Sequence, residues 1–389
     1  MKKKLLLLAT TFLTTTVLVA CGGAPTTSSN SEGNEIGDTV KIGLNFELTG
    51  GVAAYGVPQK NAAELAVEEI NAAGGIDGKQ IELISKDNKS ENSEAASVTT
   101  NLATESKVNA IVGPATSGST AAAAPNATSA GVPLVTPSGT QDSLTVNEDG
   151  SVQKYVFRAT FIDSYQGNVI SKFTTDNLKA DKVVLYYDNS SDYAKGIAKE
   201  FKATYKGEVI KELTFQSKDT DFQAALTEIK DLDFDAIVMP GYYNETGLLT
   251  KQARDLGISQ PIVGPDGFGD EKFVELAGDA ATTDVYYLSG FSSEISDSAA
   301  GFIEKYKAKY GEEPSMFAAL AYDAVYMVAK ASEGAKSSKD IAENLAKLSD
   351  FEGVTGSITI DENHNPVKSV VMIGLKDGKE DSATVVSAD

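Results

Sequence analysis

The chain has 389 residues, of which 41% are hydrophobic, 8% aromatic and 23% charged. That is the make-up of a soluble globular protein and not of a disordered one, and at roughly 150 residues per domain it allows two domains, each with its own core. Lys and Arg number 34 against 55 Asp and Glu, for a formal charge of −21, which argues against a nucleic-acid partner because phosphate contacts need a basic footprint. One His (His364) and one Cys (Cys21) exclude a Cys/His zinc cluster and an intrachain disulfide, leaving only carboxylate metal sites open.

The N-terminus reads as an export signal. Lys2, Lys3 and Lys4 precede an apolar run from Leu5, broken only by Thr, that ends in Leu18-Val19-Ala20-Cys21. A basic start, a short apolar stretch and small residues before a cut fit a signal peptide over residues 1–20, too short for a membrane span. The tetrapeptide resembles the lipobox of bacterial lipoproteins. That resemblance implies cleavage before Cys21, a thioether lipid on its sulfur, and a protein exported and held on the outer face of the cell membrane. The alternative is an ordinary cleaved signal with a chance Cys. Residues 21–38, rich in Gly, Ser and Thr, read as a flexible tether.

Past the tether, strands and helices alternate. Val40–Phe46 is β-rich. Ala62, Leu65, Ala66, Ile70 and Ala73 then recur at helical spacing, with Pro58 suited to the first turn and Gly74-Gly75 to the stop. Ile81–Ile84 follows as a strand, completing a βαβ unit with parallel strands. Glu91–Ser106 reads as a helix, Ala110–Val112 as a strand, Ser117–Ala130 as a helix kinked or divided at Pro125, and Val132–Val135 as a strand. A polar pause at Asn147–Gly150 separates this unit from a second. There, strands at Lys182–Tyr187, Glu208–Phe215, Ala236–Met239, Pro261–Val263 and Val285–Leu288 alternate with helices at Tyr193–Tyr205, Phe222–Lys230, Glu245–Leu256 and Lys272–Ala277. Two successive doubly wound α/β sheets are the economical fold. The last third differs. Ala299–Tyr310, Ser315–Ser332 and Lys339–Leu348 are helical, and Thr355–Ile360 and Lys368–Leu375 look like strands around a turn at Asp361–His364. Periodicity does not say which unit receives them.

Ligands of open parallel sheets bind beyond the carboxyl ends of the strands. In the first unit those loops are Gly113–Thr120 and Thr136–Thr140, rich in Ser, Thr and Gly and leading into helices. Free N–H groups and hydroxyls there suit a carboxylate, though the same residues also serve as plain helix caps and turns. In the second unit the loops carry Tyr193, Pro240-Gly241-Tyr242-Tyr243 and Gly264-Pro265-Asp266-Gly267, an acid among tyrosines. An ammonium group on Asp266 and a carboxylate on the Ser/Thr loops would suit a zwitterion, provided both charges are paired. Asp266 has a plainer use as a turn residue. No GxxxxGK[ST], GxSxG or HExxH occurs, and His364 reads as a solvated turn residue rather than a general base.

The stretches KIGLNFELTGGVAAYG, AVEEINAAGGIDGKQIEL, IVGPATSGST, PLVTPSGT, FRATFIDSYQG, YDNSSDYAKG, PGYYNETGLLTKQARDLG and IVGPDGF resemble those of type I periplasmic binding proteins, specifically the branched-chain amino-acid-binding components of ABC importers. The resemblance runs from Val40 to about Phe268, with a looser fit from Pro314 to Asp361. It implies two doubly wound α/β lobes joined by three crossovers and closing on a ligand by hinge motion. Residues 39–161 and 290–367 would form lobe 1, and 162–289 and 368–389 lobe 2.

Carried over by position, Ser117 and the backbone around Ala115 match the first ligand-holding loop. Ser138 and Thr140, with Gly139 between them, match the second, which holds the α-carboxylate and part of the ammonium. Tyr55 and Phe317 match walls of the side-chain pocket, Tyr193 and Tyr242 match aromatics that close over the ligand, and Asp266 matches the partner of the ammonium. The acid is often Glu in the family, and some members carry larger or sulfur-bearing residues at Ala115-Thr116, so the pocket's size preference is open. The implied ligands are Leu, Ile and Val and the implied partner is a membrane permease, with no cofactor, no metal, no catalysis and a monomeric chain. A sensor of amides or other small metabolites on the same fold, and an exported hydrolase using a cleft Ser, are the competing readings.

Overall fold

The computed structural model describes residues 33–147, 149–291 and 297–386. The expected signal peptide, Cys21 and most of the tether lie outside the described residues. No helix among those described is long and apolar enough to cross a membrane.

The first layer is an all-parallel sheet of β1 (Val40–Phe46), β2 (Ile81–Asp87), β3 (Ala110–Val112), β4 (Leu134–Thr136) and β5 (Val156–Arg158), in the order β2-β1-β3-β4-β5. Its connecting helices are α1 (Ala53–Ala72), α2 (Asn92–Thr104) and α3 (Ser117–Ala130). Helices cover both faces of such a sheet, so the inner strands β3 and β4 are buried at every residue, as is the edge strand β5 despite its Arg158.

The second layer repeats the plan. After α4 (Asp163–Asp176) come β6 (Lys182–Asp188), α5 (Asp192–Thr204), β7 (Glu208–Phe215), α6 (Gln223–Ile229), β8 (Ala236–Val238), α7 (Tyr243–Asp255), β9 (Ile262–Gly264), α8 (Glu271–Ala277) and β10 (Val285–Ser289). Strands β7-β6-β8-β9-β10 repeat the first sheet's order. The tail adds α9 (Asp297–Tyr310), α10 (Met316–Ser332) and α11 (Ser338–Leu345), then β11 (Phe351–Gly353), β12 (Gly356–Ile358), β13 (Val371–Lys376) and β14 (Lys379–Val385). Helix α10 packs on α1 of the first layer, whereas β13 and β14 extend the second sheet antiparallel beyond β10. The chain therefore passes between the layers three times: after β5, after β10 and before β13.

Several expectations are corrected. Helix α1 begins at Ala53, so Pro58 lies five residues inside it. Helix α3 runs unbroken through Pro125, on a face where both Pro125 and Ala121 are exposed, so the hydrogen bond the proline cannot make is lost at the surface and not in the core. The strands expected around Asp361–His364 do not pair with each other. β12 pairs with β11 and β13 with β10, while the turn is closed by one bridge between Ile360 and Pro366.

His364 is not solvated. It is 8% exposed, its ring stacks on Phe157 at 4.1 Å, and its Nδ1 lies 3.0 Å from the Val156 carbonyl and 3.1 Å from that of Gln153. Burial lowers its pKa, and two carbonyl acceptors fix the proton on Nδ1. The cover comes from β5, a strand the sequence did not suggest; α4 and β14 were equally unforeseen.

Candidate functional site

A strand order of 2-1-3-4-5 leaves a crevice where chain direction reverses, between β1 and β3 in one layer and between β6 and β8 in the other. The two crevices face each other. The loops leaving β1, β3 and β4 present residues from one side, and those leaving β6, β8 and β9 from the other.

On the first side the loop after β3 is tied down from within. Gly113 has φ +103°, and a Cβ there would lie 2.1 Å from the Asn45 carbonyl oxygen, so only glycine lets the chain turn this close to β1. The buried Glu47 carboxylate accepts the Ala115 N–H at 3.0 Å, the Thr116 N–H at 3.2 Å and the Thr116 hydroxyl at 2.9 Å. The N–H groups expected to be free for a ligand's carboxylate are thus partly engaged already. The Ser138 hydroxyl donates to the Ala115 carbonyl at 2.8 Å and accepts from Gln59 Nε2 at 2.6 Å. Ser117 Oγ accepts the N–H groups of Thr140 and Gln141, both at 3.1 Å. Its own O–H thereby remains to donate.

On the second side Tyr193 and Tyr242 stack with centroids 4.8 Å apart and planes 7° from parallel. The Tyr193 hydroxyl donates to Asp266 Oδ1 at 2.6 Å and accepts the Gly267 N–H at 3.1 Å. The Asp266 N–H reaches Gln166 Oε1 at 3.0 Å. Asp266 is 2% exposed, and burial lifts its pKa to about 6 against the pull of its hydrogen bonds to Tyr193 and Gln166. Asp163, also buried, is raised for the same reason, with the Thr140 hydroxyl easing its charge and Asp142 and Asp266 adding repulsion.

The two sides touch. The Tyr55 hydroxyl donates to the Gly267 carbonyl at 2.5 Å and accepts the Tyr243 N–H at 3.3 Å, while Tyr243 donates to the Gly51 carbonyl at 3.0 Å. Tyr55 packs against Phe317 at 4.4 Å and edge-on against Tyr242 at 5.8 Å. The structure is the closed form, with the loops of the two sides meeting around a small cavity. Tyr55→Phe is expected to leave the Gly267 carbonyl and the Tyr243 N–H buried and unpaired, weakening closure by about 1–3 kcal/mol. Solution scattering of the ligand-bound chain should then give a larger radius of gyration; an unchanged radius would contradict this latch.

Tyr55, Ala115, Ser117, Ser138, Thr140, Tyr193, Tyr242, Asp266 and Phe317 all line this cavity, joined by Thr116 and Gly267. Gly139 does not line it. Its N–H donates to Thr136 Oγ1 at 2.8 Å and its carbonyl accepts from Arg158 Nη1 at 3.1 Å, so it supports the loop from behind. Thr140 Oγ1 is buried and shared between the cavity and Asp163, whose charge it eases without a well-aligned hydrogen bond. Sequence reading missed Glu47, Gln59, Arg158, Asp163 and Gln166. The available signal was a charge inside an apolar run, as in Val156-Phe157-Arg158-Ala159. Among the described residues no group of three or more His, Cys, Asp or Glu is placed to hold a metal ion.

Comparison with known proteins agrees with this geometry. The periplasmic binding protein family model matches residues 39–380. The leucine-, isoleucine-, valine-, threonine- and alanine-binding protein of Pseudomonas aeruginosa is 33% identical over 331 residues, covering 84% of this chain and 86% of its own. The branched-chain amino acid transporter substrate-binding protein LivJ of Streptococcus pneumoniae, solved in complex with isoleucine, superposes with a TM-score of 0.87 at 59% identity, over 90% of this chain and 99% of its own. The leucine-binding protein LivK of Thermotoga maritima does so with a TM-score of 0.84 at 34% identity, with the same coverage. With its two 2-1-3-4-5 layers, three crossings and closed interlobe cavity, the chain belongs to the periplasmic binding protein family.

Proposed function

We propose that this protein captures free branched-chain amino acids (Leu, Ile and Val) in the interlobe cavity and delivers them to an ABC-transporter permease, while tethered to the outer face of the membrane by a lipid on Cys21. The observation that carries the reading is the division of chemistry across the cavity. One lobe offers the hydroxyls of Ser117 and Thr140, and the other the buried carboxylate of Asp266 beside stacked tyrosines. An α-amino acid brings the opposite charge to each. Its carboxylate goes to Ser117 and Thr140, its ammonium to Asp266, and its aliphatic side chain to the walls formed by Tyr55, Tyr242 and Phe317.

Binding pulls the lobes together because neither lobe alone completes both pairings. Each buried CH₂ adds about 0.8 kcal/mol, so Leu, Ile and Val differ only modestly, by roughly 10- to 200-fold at most. The names of the relatives from P. aeruginosa and S. pneumoniae support the ligand class. The test is a thermal-shift panel of the twenty amino acids and simple amides. Leu, Ile and Val should raise the melting temperature, by an amount that grows with the logarithm of ligand concentration above Kd. A rise with amides but not with leucine would replace importer by sensor. For the anchor, Cys21→Ala should release the protein from the membrane fraction, and continued membrane association would contradict lipidation.

A further inference from the structure

Arg158, at the end of β5, is wholly buried and makes no ion pair among those within 4 Å in the described residues. It spends its donors on backbone instead: Nη1 on the Gly139 carbonyl at 3.1 Å, and Nη2 on the Gln141 carbonyl at 2.8 Å, with Thr145 Oγ1 at 3.4 Å. Asp163, Asp142 and Asp361 offset its charge at longer range, yet its direct hydrogen bonds all go to the loop segment 139–145, which points to a use for the charge there.

The peptide plane supplies that use. In a trans peptide the C=O of one residue and the N–H of the next point in opposite directions. Drawing the Gly139 carbonyl toward Arg158 therefore turns the Thr140 N–H away from it, toward Ser117 Oγ. Ser117 Oγ accepts that N–H, so its own hydroxyl hydrogen is left for the cavity it lines. Each bond in such a chain polarises the next.

Given the amino-acid-binding reading above, we propose that Arg158 is a positioning residue for the ligand's carboxylate, acting through the Gly139–Thr140 peptide and the Ser117 hydroxyl without touching the ligand. The positive charge lies behind the loop, and its effect is delivered in front of it. This explains why Gly139, in the middle of the second loop, faces away from the cavity.

The test compares wild type, Arg158→Met and Arg158→Lys. Calorimetry reads affinity for L-leucine and, by competition at millimolar concentration, for isopentylamine, which is leucine without its carboxylate. Isotope-edited infrared spectra read the carboxylate stretch of bound [1-13C]leucine at saturation. Arg158→Met should lower leucine affinity about tenfold or more, as expected for a charge-assisted hydrogen bond weakened. Amine affinity should hold, and the carboxylate band should move toward its position in free leucine. Arg158→Lys keeps the charge but not the grip on two carbonyls, and should move both readouts less in the same direction; it carries the test alone if the Met variant does not fold. Equal weakening of leucine and amine, or an unmoved band, would overturn the proposal and leave Arg158 a loop support. A wild-type protein that binds no leucine would instead overturn the amino-acid reading on which the proposal stands.

Discussion

Asp266→Ala is expected to weaken L-leucine binding by about 3–5 kcal/mol, roughly 150- to 5,000-fold, because it leaves the ligand's ammonium buried without its counter-charge. Calorimetric titration measures this directly, and a loss under tenfold would contradict the assigned role. Asp266→Asn separates charge from shape. It retains an oxygen for the Tyr193 hydroxyl but no negative charge, so leucine affinity should fall nearly as far.

The same variant should stabilise the empty protein. Burial holds the Asp266 pKa near 6, above the ordinary 3.8 of the unfolded chain. The folded state then binds the proton more tightly, and the group's contribution to stability falls as pH rises from about 4 to about 6. By neutral pH the cost is about 3 kcal/mol. Asn avoids it. Leucine binding runs the other way: it needs the ionised carboxylate, so affinity should rise up to tenfold per pH unit below about 6 and flatten above. Asp163, also raised by burial, titrates in the same sense. Binding that falls between pH 4 and 6 would contradict the ammonium–Asp266 pairing.

Asp323→Ala should produce the largest loss of stability. Asp323, on α10 and 1% exposed, accepts the N–H groups of Val354 at 2.8 Å and Thr355 at 2.9 Å, as well as the Thr355 hydroxyl. Lys368, on the last crossing between the lobes, donates to the same hydroxyl, and burial pushes its pKa down to about 8 despite the attraction of Asp323. Removing the carboxylate strands two buried N–H groups and leaves a part-buried ammonium without its counter-charge, at a cost of about 3–5 kcal/mol and roughly 10 °C in melting temperature. The sign with pH follows. Lys368 loses its proton more readily folded than unfolded, so its penalty is full at neutral pH and shrinks as pH rises from about 8 toward 10.5. Denaturant unfolding of the variant at pH 7 and pH 10 should show the deficit narrowing. A deficit below 1 kcal/mol at pH 7 would contradict the role given to this cluster.

What the sequence made legible follows from the physics of each element. Runs such as Val40–Phe46 and Lys182–Asp188 announce themselves because buried parallel strands are continuously apolar. Loops at strand ends follow directly from those strands, which places Ser117, Thr140 and Asp266 at the carboxyl ends of the sheets from sequence alone. β5 was missed because it has three residues, one of them Arg158. An arginine in a strand reads as surface until tertiary structure reveals that it holds a loop's carbonyls. His364 was misjudged for a related reason. A turn looks solvated from sequence, and only its packing on β5 buries it. Glu47 sits in the phrase Phe46-Glu47-Leu48-Thr49 like any exposed acid, yet it meets a loop 68 residues on. Short-range pattern carries the elements, while long-range polar pairings, which order the site, leave little trace in it.

Recognition rests on one lobe answering a carboxylate and the other an ammonium. Titration of the wild-type chain with L-leucine, isopentylamine and 4-methylpentanoate tests this directly, because each analogue removes one charge and keeps the aliphatic body. Leucine should bind one per chain, and each analogue at least about a hundredfold more weakly, since each leaves a buried partner unpaired. If either analogue binds as tightly as leucine, the lobe facing the missing charge has no part in recognition and the two-sided site is refuted.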